Sequence, residues 1–554
     1  MTVDGTYDYI IVGAGSGGGV LAARLSEEPD VRVLLLEAGG EAKHWSIRMP
    51  AGYGENFTGG PYNWSYYSVP QKNLADRRIY QPRGKVLGGS SSINGMAYIR
   101  GHALDYQRWA AEGAAGWAYA DVLPYFKRSE RSSRGEDAWR GGSGPLATTH
   151  HGTRLPLNRA FVEAGGEAGF PLTDDVNGYQ QEGFGPFDMN IDKGVRASTA
   201  HAFIGPVRSR PNLTVLTGAV TRRVATEGRR AVGVEVIVGG KAQSIRAECE
   251  VILAASAFSS PHLLMLSGIG PADHLREHGI DVVHDLPGVG GNLQDHLEVH
   301  MQWGTGHAHA LNRHAKPINK VMAGARWFLS HDGICASNQV EVGAFTRSAP
   351  DQPHPDIQYH FFPFLLEGWG ASTKRSGFCV CVGTLRERSR GTVRLASADP
   401  DERPLIDFNF FDDPTDLDDM RACVHQARDV IAQRAFDPYR GAEEEPWAST
   451  RSDEAIDQLI RETAESAYHP CGTCKMGTDA MAVVDPECRV HGIEGLRVAD
   501  SAIIPSIPSG NLNAPTMMIG EKAADMILDR EPPAPSNADW FGSDDPAAAD
   551  RQAR

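Results

Sequence analysis

The chain has 554 residues, 41% hydrophobic and 22% charged, which suits a folded globular protein and excludes disorder as its dominant state. Its 54 Lys and Arg stand against 70 Asp and Glu, a net charge of -16; such a surface repels phosphate backbones, so no nucleic acid partner is expected. Eight cysteines are too few for a disulfide framework, and residues 1–7 lack a basic, then apolar, leader, so reduced thiols and a cytoplasmic location are expected.

Residues 7–12 (YDYIIV) form a short apolar run of strand formers that enters glycine at once. Val20, Leu21, Ala23 and Leu25 then recur at helical spacing, Pro29-Asp30 ends that helix, and 31–36 (VRVLLL) is a second buried strand closed by Glu37. Strand, glycine turn, helix, strand and acid make a βαβ unit. A second glycine-rich segment, 83–95 (RGKVLGGSSSING), has no helical period and reads as a loop. Residues 130–155 are polar and read as a surface connection. Residues 215–224 and 231–237 read as paired strands about the charged turn 227–230, and 250–255 (EVILAA) as another strand. A helix is expected to start at Pro261, where the missing N–H costs least. The apolar stretch 251–270 is broken by Ser256, Ser259, Ser260, Pro261 and His262 and does not read as a membrane span.

Residues 300–460 carry no nucleotide signature and combine strands at 357–364 and 378–385 with a helix at 417–432, as expected of a separate substrate-side domain. A short strand ending in Asp500 and an amphipathic helix over 516–528 follow. Beyond Arg530 the composition turns to Pro, Ala, Ser and Asp, and 531–554 is expected to be a mobile tail.

Gly13, Gly15 and Gly18 have separate duties: a tight turn, close approach of a pyrophosphate to backbone, and close packing of helix on strand. The helix N-terminus offers N–H groups and a positive dipole end to phosphate. Glu37 sits where a carboxylate can bond ribose hydroxyls. This unit alone does not separate FAD from NAD. The second loop, with Gly88, Gly89 and Asn94, favours a flavin, whose broad ring and pyrophosphate must both lie close to main chain. His469, held between Tyr468 and Pro470, is the side chain suited to take a hydroxyl proton near neutral pH. Cys471 and Cys474 beside it suggest zinc, but a structural site needs a second ligand pair, so no metal is expected. The turn 511–516 reads as a helix cap. Glu298 could hold an organic cation through its charge, or it could form an ordinary salt bridge.

These segments together resemble the glucose-methanol-choline family of flavin oxidoreductases, over roughly residues 5–530. The marks are GAGSGG, LLLEAGG, RGKVLGGSSSINGM, SSPHLLMLSGIGP, YHPCGTCKMG and GNLNAPTMMIGEKAAD, in that order. NGYQQEGFGP, RASTAHAF and NLQDHLE are most similar to bacterial choline-oxidising members. The resemblance implies an α/β fold (α+β overall), with a Rossmann-like FAD-binding domain from 1–155, 205–300 and 465–530. A substrate-binding domain on a mixed or antiparallel sheet, from 156–204 and 301–464, completes it. It implies flavin contacts at Gly13, Gly15, Ser16, Gly18, Glu37, Gly88, Gly89, Asn94, Val220, Asp500, Asn511 and Thr516. His469 falls on the family's catalytic base and Asn513 on its partner; Glu298 falls on the carboxylate facing trimethylammonium, with Tyr468 beside the substrate. Ile93 stands where covalent members carry a histidine, so FAD is expected without a covalent link. The implied reaction is hydride transfer from a primary alcohol to flavin N5, choline to betaine aldehyde, passing electrons to a quinone or another acceptor with at most peripheral membrane contact. An uncharged aliphatic, aromatic or polyether alcohol is the alternative, since 361–366 and Trp369 look bulky and apolar.

Overall fold

The strand Thr6–Val12 lies in the middle of a seven-stranded sheet, with parallel partners on both sides. In the computed structural model, which describes residues 5–306, 309–368 and 370–542, the order is Leu213–Thr217, Val33–Glu37, Thr6–Val12, Lys241–Leu253, Arg230–Val238, Ala219–Glu227. Leu496–Val498 adds to the end of Lys241–Leu253. Val33–Glu37 is buried at every position, as a central parallel strand covered on both faces must be. The expected strand over 215–224 is two strands, broken at Gly218: Leu213–Thr217 pairs with Val33–Glu37, and Ala219–Glu227 forms the hairpin with Arg230–Val238. Gly218, at φ +69, turns the chain between them.

The Ser16–Leu25 helix and the Asn513–Ile527 helix pack together over this sheet. The second is buried on nearly all sides, so its expected polar face is not exposed to water. Its first helical residue follows Leu512, which offers no side-chain cap. Pro261 is not at the start of its helix but inside Ser256–Leu266. The carbonyl four residues back, left without an intrahelical donor, finds its partner outside the helix.

A second sheet has six strands, antiparallel throughout, in the order Glu465–Ser466, Leu297–Gly304, Gly377–Thr384, Ile357–Phe362, Val342–Thr346, Gly183–Pro186. The domain boundaries expected at 300 and 465 therefore cut into this sheet. Phe361, Phe378 and Phe436 stack behind it, where the Thr415–Ile431 helix covers its back. One face is thus apolar, and the other is left to line a cavity.

Two expectations about polar segments change. Residues 130–155 are not a surface connection: they hold the strands Glu130–Ser132 and Leu146–His150. Between them, the fully buried Arg140 pairs with Glu130, Asp175 and Asp188. Charge there is internal because it is paired. Residues 531–542 are not loose either: Ser536 N–H donates to Ala120, Trp139 Nε1 to Asp539, and Phe541 N–H to Tyr179. Phe541 is buried. Residues 543–554 and Trp369 lie outside the described residues. No helix among the described residues is long and apolar enough to cross a membrane.

Candidate active site

A single cavity of about 620 Å³ is lined by Gly13, Gly15, Ser16, Glu37, Gly89, Asn94 and Val220, and also by Glu298, Tyr468, His469, Asp500, Asn511, Asn513 and Thr516. Two of the expected contact residues stand back from it. A Cβ at Gly18 would lie 1.9 Å from the Gly13 carbonyl oxygen, so Gly18 serves helix–strand packing. Gly88, at φ +88, donates its N–H to Ala14 at 2.8 Å and ties the second loop to the first. The two glycine segments touch: a Cβ on Gly89 would lie 2.7 Å from the Gly15 Cα, whereas one on Gly15 meets nothing closer than 3.9 Å. Bare main chain and the uncapped N-terminus of the Ser16–Leu25 helix therefore face the cavity together, the setting in which a pyrophosphate is held.

Glu37 accepts from the N–H groups of Ala14 at 3.2 Å and Gly39 at 2.7 Å. It ties the glycine turn to its strand, and each oxygen keeps acceptor capacity for a hydroxyl. Burial outweighs these bonds and pushes its carboxyl up to about 7. Asp500 accepts from Ser260 Oγ and from the Ser256 and Ala502 N–H groups, fixing the start of the Ser256–Leu266 helix at the cavity wall. Ile93 also lines the cavity and offers no atom for a covalent link.

At the other end stands His469. Its main-chain N–H donates to Asp295 Oδ1 at 2.7 Å. Asp295 also accepts from Gln81 Nε2 and Ser466 Oγ, and burial raises it to about 6. Tyr468, at φ +66, offers its carbonyl to Arg83 Nη2 at 2.6 Å. The His469 ring is buried. Desolvation, followed by the neighbouring His296 and His360, pushes it well below the usual imidazole range, so it is neutral and able to accept a proton.

Its side-chain partner is Asn511, not Asn513. Asn511 Nδ2 lies 3.0 Å from His469 Nε2. Asn511 Oδ1 accepts from Gln358 Nε2 at 3.1 Å, which orients the amide with its N–H toward the imidazole and keeps Nε2 unprotonated. His469 Nδ1 lies 3.0 Å from His296 Nδ1. Asn513, the first residue of its helix, turns the other way: its Oδ1 accepts from Ser16 Oγ at 2.8 Å and its Nδ2 donates to Asn190. Asn511 and Asn513 line the same cavity but reach different partners, and the place beside His469 belongs to the residue two positions before the expected one.

Glu298 lies on the strand Leu297–Gly304, whose burial alternates. Leu297, Val299, Met301 and Trp303 enter the core, and Glu298 and His300 face the cavity. Strand register sets His300, Cys381 and His360 on one rung across three strands, and Glu298, Gly383 and Gln358 on the next. A Cβ at Gly383 would lie 2.0 Å from the Leu297 carbonyl oxygen and 2.9 Å from the Glu298 Cβ, so glycine is required for the two strands to pair at Glu298. Both readings of Glu298 meet: it lines the cavity and is an ion-pair partner, 2.9 Å from His300 Nε2 and 3.7 Å from His360 Nδ1. Burial opposes its charge, but the imidazoles hold Glu298 well below the usual carboxylate range. In turn burial lowers His300, and Glu298 outweighs that and raises it to about 9. Glu298, His300 and Cys381 also place ligand-type atoms within 4.8 Å of one another, a grouping not expected from sequence. Cys471 and Cys474 are packed in the apolar core instead.

Sequence reasoning missed Asp295, His296, His300, His360 and Gln358. Asp295 and His296 stand in the NLQDHLE segment beside Glu298, and alternation along 297–304 marks His300 as sharing the face of Glu298. His360 and Gln358 become visible only through strand register.

Family models described as GMC oxidoreductase match residues 7–298 and 387–520. An oxygen-dependent choline dehydrogenase of Brucella ovis is 51% identical over 538 residues, covering 96% of this chain and 98% of that protein. One of the same name from Photobacterium profundum is 50% identical over 539 residues, covering 96% and 95%. Among solved structures, pyridoxine 4-oxidase from Mesorbium loti superposes with a TM-score of 0.86 at 32% identity, covering 95% of this chain and 100% of that one. A fungal aryl-alcohol oxidase gives a TM-score of 0.84 at 26% identity, covering 95% and 99%.

Proposed function

The chain belongs to the GMC oxidoreductase family, and from that premise we propose that it oxidises a primary alcohol with non-covalently held FAD, choline to betaine aldehyde being the leading reaction. The carrying observation is a buried imidazole, His469, bonded to Asn511 in the same cavity as the Gly15–Gly89 cradle. A bound FAD would supply the acceptor for the hydride of the carbinol carbon. Gly13, Gly15, Ser16, Gly89 and Glu37 are assigned to its pyrophosphate and ribose, and Asn94, Val220, Asp500, Asn513 and Thr516 to the rest of the molecule.

The Gln358–Asn511 bond holds the His469 ring in the tautomer with Nε2 unprotonated, and Nε2 takes the hydroxyl proton once the alcohol hydroxyl displaces the Asn511 amide from its single lone pair. Asp295 fixes the backbone beneath it. Proton removal in a buried pocket leaves a developing alkoxide with the new imidazolium and the Asn511 amide beside it, an arrangement that stabilises charge without solvent reorganisation. Glu298 and Tyr468 are assigned to the substrate's far end. Choline is supported by the choline dehydrogenase relatives and by Glu298. An uncharged alcohol is favoured by the His300 imidazolium that already neutralises Glu298. The electrons pass on to a quinone or another acceptor.

Anaerobic mixing of the purified yellow protein with choline, benzyl alcohol and aliphatic alcohols tests this. Bleaching of the flavin absorbance by choline supports the leading reaction, bleaching only by uncharged alcohols moves the substrate class, and bleaching by none overturns the reading. Oxygen uptake with peroxide release separates oxidase from dehydrogenase.

A further inference from the structure

The strand Gly377–Thr384 sends Phe378, Val380 and Val382 into the core, so Cys379 and Cys381 share its opposite face. Cys381 lines the cavity and is paired across the sheet with His300. Glu298 stands on the same face as His300 in the neighbouring strand, its Oε1 2.9 Å from His300 Nε2. One ligand-type atom from each of Glu298, His300 and Cys381 falls within 4.8 Å of the other two, the one such grouping among the described residues. Cys379 Sγ lies 3.9 Å from Cys381 Sγ. Two sulfurs bound at about 2.3 Å to one tetrahedral zinc stand about 3.8 Å apart.

Neither thiol takes part in the proposed reaction. Carboxylate, imidazole and thiol together suit a divalent ion of intermediate softness, whereas magnesium and calcium select oxygen. Carboxylate and thiolate would supply the two negative charges that neutralise such an ion. The three side chains stand on two hydrogen-bonded strands whose other face is packed in the core, so their spacing is set before any ion arrives. His360 Nδ1, 3.7 Å from Glu298 Oε2, holds the carboxylate from the far side. The cavity itself provides the way in.

We propose that Glu298, His300 and Cys381 bind a divalent metal ion of the zinc class, with Cys379 or a water in the fourth position. Binding releases the Cys381 thiol proton and the proton that His300 shares with Glu298, and the ion then pairs with the carboxylate in place of the imidazolium. The ion sits on the group that the proposed function assigns to the substrate's far end, so metal and cationic alcohol exclude each other. That exclusion rests on the proposed function; the metal site itself does not.

Equilibrium dialysis of the chelator-treated, flavin-loaded protein against zinc, with a phosphine keeping the thiols reduced, tests it. One tightly held zinc per chain is expected. X-ray absorption at the zinc edge of the parent protein should show sulfur at about 2.3 Å beside nitrogen and oxygen at about 2.0–2.1 Å. Cys381→Ala and His300→Gln should each weaken this zinc about tenfold or more with flavin absorbance kept, whereas Cys249→Ala, which removes an exposed thiol, should leave it unchanged. At ten times its dissociation constant, zinc should raise the KM for choline about tenfold without lowering kcat, and a chelator should reverse this. Failure to retain zinc, a zinc environment of nitrogen and oxygen alone, or Cys381→Ala and His300→Gln proteins that hold zinc like the parent overturns the proposal. Sulfur-bound zinc that leaves the KM of every alcohol unchanged upholds the metal site and removes Glu298 from substrate binding.

Discussion

Thr473 Oγ1 donates to the carbonyl oxygen of Ala257 at 2.6 Å. This is the carbonyl that Pro261, lacking an N–H, leaves without an intrahelical partner in Ser256–Leu266. The bond ties the segment carrying His469 to the helix whose start Asp500 fixes. Thr473→Val keeps the shape and removes the donor, leaving a buried acceptor unpaired. A loss of about 1–3 kcal/mol is expected, read as a lower midpoint in denaturant unfolding of the flavin-loaded protein. An unchanged midpoint would show that the carbonyl is satisfied some other way.

His469→Ala should keep the yellow flavin and lower turnover by about 10²–10⁴-fold. Stopped-flow reduction of the bound flavin by the best alcohol measures it, and near-parental reduction would dismiss His469 as the base.

Asn511 and Asn513 separate by readout. Asn511→Ala frees His469 Nε2 from its amide and should lower the flavin reduction rate about tenfold or more, with flavin content unchanged. Asn513→Ala removes the acceptor of Ser16 Oγ at the first helix and should act on flavin retention after dialysis. The reverse pattern would restore Asn513 as the partner of the base.

Below about pH 9, His300 is protonated and neutralises Glu298. A cationic alcohol therefore competes with an imidazolium, and its KM should fall as pH rises toward 9, levelling above. The KM of an uncharged alcohol should not share this trend. His300→Phe should lower the KM for choline about tenfold near pH 7 and flatten its pH dependence. Parallel profiles for charged and uncharged alcohols would remove Glu298 from substrate binding.

Glu387 is buried, and its carboxyl is pushed up from 4.5 to about 8 by desolvation, against bonds from Thr384 and Leu297. The folded state thus holds a proton that the unfolded chain releases. Stability from this group is full below about pH 4.5 and is lost as pH rises to about 8, at up to about 1.4 kcal/mol per pH unit. Glu387→Gln cannot ionise, so its melting temperature should gain on the parent as pH rises from 5 to 8. A constant difference would place the proton elsewhere.

The βαβ unit was legible because three levels agree there: strand formers, glycines at set spacing and an acid closing the second strand. The 227–230 turn was legible from strand formers on both sides of a charged turn, but the break at Gly218 was not. Residues 130–155 misled because polar composition does not distinguish a solvated face from paired internal charge, as Arg140 and Glu130 form. Pro261 misled because its cost is met by Thr473, more than two hundred residues away. His469 and Glu298 could be named from their segments. Asn511 was noted only as a flavin contact, since choosing between it and Asn513 requires the direction of each side chain out of one turn. The rung of His300, Cys381 and His360 is a product of antiparallel register, which no local pattern carries.

Residues 531–542 behave as a strap across the protein's flank, since Phe541 sits in a pocket beside Tyr179 and Trp139 is bonded to Asp539. Shortening the gene at codon 530 would therefore uncover two aromatic rings and leave a sticky, aggregation-prone preparation. Purification handles belong after position 542, where they leave the strap in place.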